Sequence, residues 1–364
     1  MKMFKKICAF LLAIACICLC FAGCHKQDEI AVTIKCGDEK VEFTSAMYAY
    51  ALLEADMAAR NKIDSEKSDS SAKVNYHKRK IDGVKFVDYV EAEAIKTLRK
   101  LAYYQIAAKE LGVKLTDEEK SESEYYAYMY WYNYGYATTY EPNGIGYQTF
   151  VKVNELYKLA DSVFTAIYGE GGEKAVDSET LNKKMYENYE LADIIAVDIS
   201  EKKEDEIKTL KSKFEAYADR LNKGEAFETI YNEYYEVKES DKDTHEHTEE
   251  DDDTLKPLDE YATLIGSKDT DNADAAFSTI KRMEAGKAYV DTASNEDAIR
   301  LVLRGDLSKD EYYIDLASKA TLWMLKESEY ETLAKDTADE YEVQEHKYAI
   351  SQFKVKNMYY PTAQ

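Results

Sequence analysis

Three stretches of this sequence concentrate side chains able to do chemistry. The first is the acidic run Glu239–Thr254, where His245 and His247 stand beside Glu246, Glu249 and Asp251–Asp253. Imidazole and carboxylate groups together can ligate a divalent cation. The run is low in complexity and shows no turn or periodicity that would fix a coordination geometry. A solvated acidic loop is therefore the favoured reading, and no metal or other cofactor is assigned. The second is Asp193, a carboxylate at the start of the apolar run ending at Ile199. Buried in a strand, it needs a hydrogen-bond donor or a raised pKa. The third is Tyr125–Tyr140, YYAYMYWYNYGYATTY. Tyr126, Tyr130, Trp131 and Tyr134 supply large apolar area with little rotamer entropy to lose, which suits a surface for varied unfolded segments. The competing reading is packing between helices with the phenols at the rim. Cys36 has no His companion close in sequence and reads as a small packed side chain near a turn.

Local signals predict the elements that must position these groups. Asp193–Ile199 is rich in β-branched residues and reads as a buried strand. Ser200 is expected to cap the helix that follows, whose apolar face is Ile207, Leu210, Phe214, Tyr217 and Leu221. Gly224 ends it, and Phe227, Ile230 and Tyr231 begin a shorter helix. Upstream, Ile30, Val32 and Ile34 alternate as a strand, Gly37-Asp38 turns, and Val41–Phe43 resumes. Thr44 caps a helix through Ala59, with Met47, Ala51, Ala55 and Ala58 on one face. Phe86–Leu111 is a strong helix, stopped by Gly112. Thr116-Asp117-Glu118-Glu119 is a capping box opening a helix that runs into the tyrosine stretch. Tyr147–Tyr168 is a further helix, and Asp177 or Ser178 caps another through Tyr189. Beyond the acidic loop the pattern predicts a helix over Asp274–Arg282, strands over Tyr289–Thr292 and Ala298–Leu303, and a helix from Asp310 to about Lys335. A closing strand is expected near Ala349–Val355.

Composition narrows the class. The 364 residues carry a net charge of −23, with 32 Tyr but only 14 Gly and 3 Pro, which favours a helix-rich chain with few tight turns. No basic stripe exists to neutralise phosphates, which argues against a nucleic-acid partner and against broad contact with an anionic membrane surface. At the N-terminus, Lys2, Lys5 and Lys6 precede an apolar segment, Ile7–Phe21, too short to span a membrane comfortably. It ends in Phe21-Ala22-Gly23-Cys24, which resembles a bacterial lipobox, with Phe21 where Leu is usual. The resemblance implies cleavage before Cys24 and a lipid on its sulfur, anchoring the chain to the outer face of the cytoplasmic membrane. Loss of the leader removes three Lys and no acid, taking the charge from −23 to −26. It leaves only Cys24 and Cys36, so with Cys24 lipidated no intrachain disulfide is possible.

The order strand, long helix, short helix, helix, strand pair resembles a parvulin-type prolyl isomerase domain. The flanks are similar to SurA-like and PrsA-like foldases. Ala31-Val32-Thr33-Ile34 with Gly37 and Val41 matches their first strand and turn. Phe86–Glu119, ending LGVKLTDEE, matches their second helix and the capped start of the third. DSETLNKKMYENY, Asp177–Tyr189, matches the lead into their isomerase domain. The resemblance implies an α+β protein: a signal peptide over 1–23, a helical chaperone region over 24–189, a parvulin-like domain with an antiparallel sheet over 190–306, and a helical end over 307–364 that packs with the N-terminal region. It implies an extracytoplasmic foldase acting on unfolded or newly secreted polypeptides. Parvulins lower a barrier of roughly 18–20 kcal/mol with a His on the first strand, another on the last, and an apolar cup. The matching positions here are Asp193 and Asp297, with Phe277 as cup or core. Two carboxylates for two imidazoles imply weak or absent isomerase activity. The alternative is a non-enzymatic binding or envelope-assembly lipoprotein. A solute-binding protein would show repeated strand–helix alternation, which this chain lacks.

Overall fold

The computed structural model describes residues 28–66, 74–236, 261–294 and 297–361. It is a mixed α and β protein, mainly helical, with small antiparallel sheets. The chain divides into two units. One runs up to Lys174 and resumes at Ser328; the other is Ala175–Glu327.

In the first unit, β1 (Ile30–Cys36) pairs with β2 (Glu39–Thr44) on one edge and with β9 (Glu342–Glu345) on the other, both antiparallel. Gly37, at φ 56°, makes the β1–β2 turn. The closing strand is thus Glu342–Glu345 rather than Ala349–Val355. Lys347–Ile350 is helical instead, and Ala349 and Val355 are buried from helical turns. A polar EVQE run has no strand signature of its own; the open edge of β1 supplies its hydrogen bonds.

Helix α1 (Ser45–Ser65) starts where Thr44 accepts a bond from the Met47 amide at 3.3 Å. A short antiparallel pair, β3 (Lys80–Ile81) and β4 (Val84–Lys85), precedes helix α2 (Phe86–Leu111), which buries Val90, Ala94, Leu98 and Leu101 and ends at Gly112, φ 71°. Helix α3 (Asp117–Tyr128) carries the complete capping box, Glu119 amide to Thr116 at 3.1 Å and Thr116 amide to Glu119 at 2.8 Å. Past Tyr128 the tyrosine stretch is not one continuous α-helix. Met129–Asn133 is a π-helical turn, Gly135 takes φ 73°, and a short helix, α4 (Ala137–Tyr140), follows. Helix α5 (Tyr147–Tyr168) packs on α2 and α3.

In the second unit, α6 (Ser178–Asn188), capped by Asp177, leads into β5 (Tyr189–Asp198). Helices α7 (Glu204–Leu221) and α8 (Phe227–Tyr235) follow. Ser200 does not cap α7. Its amide and hydroxyl both donate to Asp198 in a turn, and the helix opens at Glu204, with Glu206 accepting from the Lys203 amide at 2.9 Å. Then come β6 (Ala262–Gly266), a single helical turn α9 (Phe277–Ile280), β7 (Ala288–Asp291) and β8 (Ala298–Arg304). Strand β6 had no predicted counterpart, and the helix expected over Asp274–Arg282 shrinks to four residues. The sheet order is β6-β5-β8-β7, antiparallel throughout. Helix α10 (Glu311–Asp339) contributes its first part to this unit.

One sheet face, with Ile195, Ile299 and Leu301, packs on Phe214, Tyr217 and Leu221 of α7 and Phe227 and Ile230 of α8. The other, with Ala192, Ile265 and Val302, packs on Phe277 and Ile280. Tyr313 and Ala317 of α10 and Met185 of α6 cover Leu191 and Leu264. These contacts are why the unit reaches beyond the 190–306 span expected from the sequence, taking in α6 and the first half of α10.

Candidate functional site

The sheet of the second unit separates the two carboxylates set by the resemblance. Asp193 lies in β5, opposite Ala262 and Leu303, and is 3% exposed. Asp297 is exposed, just before β8, and its carbonyl accepts from the Ile199 amide at 2.7 Å. Six residue steps, from Asp193 to Ile199, divide those positions, about 20 Å at the rise of a strand. Alternation also sends Asp193 to the face of Leu191 and Ile195, covered by helices. Asp193 and Asp297 therefore form no dyad. Phe277 is 9% exposed and belongs to the core cluster with Ala192 and Val302, with Lys281 Nζ 5.1 Å from its ring centre.

The polar centre of this unit is instead Arg300. Its guanidinium donates to both oxygens of Asp274, at 2.7 and 3.1 Å, and twice to Asp291 Oδ2, at 2.6 and 3.1 Å. Burial pushes both carboxyls up, but the bonds from Arg300 and from backbone amides outweigh it and hold both below the usual Asp value. Tyr289, on the neighbouring strand, is driven up to about 12 by burial. Among the described residues of this unit there is no histidine. Carboxylates held ionised and saturated by arginine, beside a phenol that stays protonated, leave this cluster no proton donor or acceptor matched to neutral pH.

The first unit holds the more open site. Tyr50, Glu54, Met57, Tyr130, Tyr134, Tyr136, Tyr140, Phe150 and Asn154 line a cleft of about 600 Å³. The π-helical turn builds its rim. The Tyr134 amide reaches back to the Met129 carbonyl and the Tyr136 amide to that of Tyr130. The extra residue per turn breaks the i, i+4 stripe and gathers rings that a regular helix would spread. Tyr130 lies 5.5 Å from Tyr134 and 5.4 Å from Tyr136. Tyr136 stacks on Tyr140 at 5.6 Å, and Tyr140 meets Phe150 edge-on at 5.4 Å. Tyr130 is 40% and Tyr134 68% exposed. Tyr126 is exposed too but does not line the cleft.

Trp131 departs from its neighbours. It is 1% exposed, packed on Ala127, Leu53 and Phe150, and is core rather than surface. The same turn that projects Tyr130 outward turns Trp131 in, so it anchors the tyrosine rim to α1 and α5. The C-terminal segment braces this cluster from far away in sequence. Asn143 donates to the Tyr359 carbonyl at 2.9 Å and accepts from its amide at 2.8 Å, while Phe353, Met358 and Tyr360 pack alongside.

Glu54 was not a sequence candidate. On α1 it reads as an ordinary solvated carboxylate, and nothing local marks it. In the structure it is half-buried in the cleft wall and accepts a hydrogen bond from the Tyr140 hydroxyl. Burial raises its pKa, with the Tyr140 bond opposing.

Cys24, the leader, and the acidic loop with His245 and His247 lie outside the described residues. Among the described residues no cluster of His, Cys, Asp and Glu has the arrangement of a metal site.

No family model matches this chain, and no curated protein matches it. Among solved structures, the foldase protein PrsA from Streptococcus pneumoniae str. Canada MDR_19A is similar, at 13% identity and a TM-score of 0.39. The match covers 76% of this chain and 98% of that one. A likeness of this extent carries no argument about function.

Proposed function

We propose that this chain holds unfolded polypeptides as they emerge outside the cell, as a lipid-anchored, foldase-like chaperone. The helical unit is its client-binding part. The sheet unit is a parvulin-like module, inserted between the two segments of the helical one, that serves as scaffold and lacks efficient isomerase chemistry. The observation that carries the reading is the tyrosine-lined cleft. An open, rigid aromatic wall offers apolar contact and hydrogen bonding without a shape specific to one ligand. Anchorage rests on the basic leader and the lipobox-like Phe21-Ala22-Gly23-Cys24. The doubt about isomerase activity rests on the absence of histidine among the described residues of the sheet unit and on the Arg300 clamp.

Light scattering of a chemically denatured client, diluted with and without the soluble chain starting after Cys24, tests the reading. Suppression of aggregation at near-stoichiometric chaperone is expected, and a Tyr130→Ala/Tyr134→Ala double variant should lose most of it. Unchanged aggregation with the parent chain would overturn the chaperone assignment. A protease-coupled proline-peptide assay should give a rate close to the uncatalysed one; parvulin-like turnover would overturn the scaffold reading.

A further inference from the structure

Glu54 differs in its surroundings from Asp56, Glu190, Asp274 and Asp291, each of which is paired with an arginine. Asp56 has Arg60, Glu190 has Arg304, and Asp274 and Asp291 share Arg300. Among the described residues Glu54 accepts from the Tyr140 hydroxyl and forms no ion pair with a Lys, Arg or His. It also faces open volume rather than packed core, walled by the rings of Tyr130, Tyr134, Tyr136, Tyr140 and Phe150. A half-buried anion costs the fold free energy unless something compensates it. Here the compensating charge has room to come from outside.

We propose that the cleft around Glu54 is a binding site for a cationic side chain of an extended polypeptide, best an arginine guanidinium. The inference rests on the polypeptide-holding reading and deepens it. Three features fit that occupant. A carboxylate matches the guanidinium fork. Tyrosine faces attract a cation, and more strongly once water is displaced. The cleft volume falls within the range of about 300–1,000 Å³ common to small-ligand sites, enough for one long side chain while the client backbone stays outside. The chain's net charge of −23 would draw basic segments toward it.

Fluorescence anisotropy with three labelled peptides of equal length tests this: a neutral Gly/Ser/Leu peptide, the same with Arg replacing some Ser, and the same with Glu. The Arg peptide should bind about tenfold or more tightly than the neutral one. Glu54→Gln, which keeps an acceptor for Tyr140, should erase that advantage. Tyr134→Ala, at an exposed ring, should reduce the advantage without touching the fold. An Arg preference that survives Glu54→Gln, or equal binding of the Glu peptide, would overturn the inference in favour of diffuse attraction. Methylguanidinium, followed through the fluorescence of Trp131 in a Trp323→Phe background, separates the two levels. If it binds parent but not Glu54→Gln protein while no peptide binds, the cation site stands and the polypeptide reading falls. If neither binds, both fall. If peptides bind but neither methylguanidinium nor the Arg peptide depends on Glu54, only the cation site falls.

Discussion

The tyrosine cleft of one unit and the Arg300 clamp of the other solve the same problem in opposite ways. Each places carboxylate beside aromatic rings and away from bulk water. In the clamp, one guanidinium takes up both Asp274 and Asp291 and holds them ionised. In the cleft, Glu54 has a phenol and open volume, and burial raises its pKa. The difference teaches which region is finished and which waits for a partner. A saturated ion cluster fixes local structure and has nothing left to offer a ligand. An anion partly stripped of water, without its counter-charge, is where a ligand contributes most.

That contrast can be broken by mutation. Arg300→Met strips the counter-charge from two carboxylates at once, and should destabilise the sheet unit by about 3–5 kcal/mol, read as an earlier denaturant midpoint for that unit's transition. Trp131→Ala probes the rim instead. Loss of a buried indole should cost the helical unit about 3–5 kcal/mol and abolish peptide binding, because the tyrosines lose their anchor. If either variant melts like the parent, the corresponding region is not held as described.

Acid should separate the two regions further. The carboxyls of Asp274 and Asp291 are depressed in the fold, so their contribution is present above the unfolded value of about 3.9 and is lost as pH falls through the lower folded values. Calorimetry should show the sheet unit losing stability below about pH 4, with a flatter profile in Arg300→Met. Glu54 carries the opposite sign. Its raised pKa means the ionised form costs the fold at neutral pH, and that cost is relieved as pH falls through the raised value. Glu54→Gln should therefore give a small rise in the melting temperature of the helical unit at pH 7, and no rise once Glu54 is protonated in the parent. A fall at pH 7 would mark Glu54 as a structural hydrogen-bond partner instead. The smallest expected effect is at Tyr134, whose truncation should leave stability within about 0.5 kcal/mol while weakening client binding.

Much of the scaffold was legible from local chemistry. The caps at Thr44, Thr116 and Asp177, the stop at Gly112, the apolar face of Phe86–Leu111 and the helix over Tyr147–Tyr168 all appear where the sequence places them. These features act over three or four residues, so the sequence by itself determines them. Strands β6 and β9 were missed because a strand's hydrogen bonds are made by its neighbour, and Ala262–Gly266 and Glu342–Glu345 become strands only beside β5 and β1. Asp193 and Asp297 were singled out by the family resemblance, which leaves open whether they share a groove; register puts them about 20 Å apart along the β5–β8 ladder.

The sequence alone determined that this chain has a tyrosine-rich segment behind a capped helix and a strongly acidic composition. Only the tertiary structure decided that Trp131 turns inward while Tyr130 and Tyr134 turn out, that Glu54 stands among those rings, and that Asn143 ties them to Tyr359. The reason is range. Periodicity and capping are set by neighbours along the chain, whereas a cleft is set by which distant surfaces share one volume and which charges are left within it without a counter-ion.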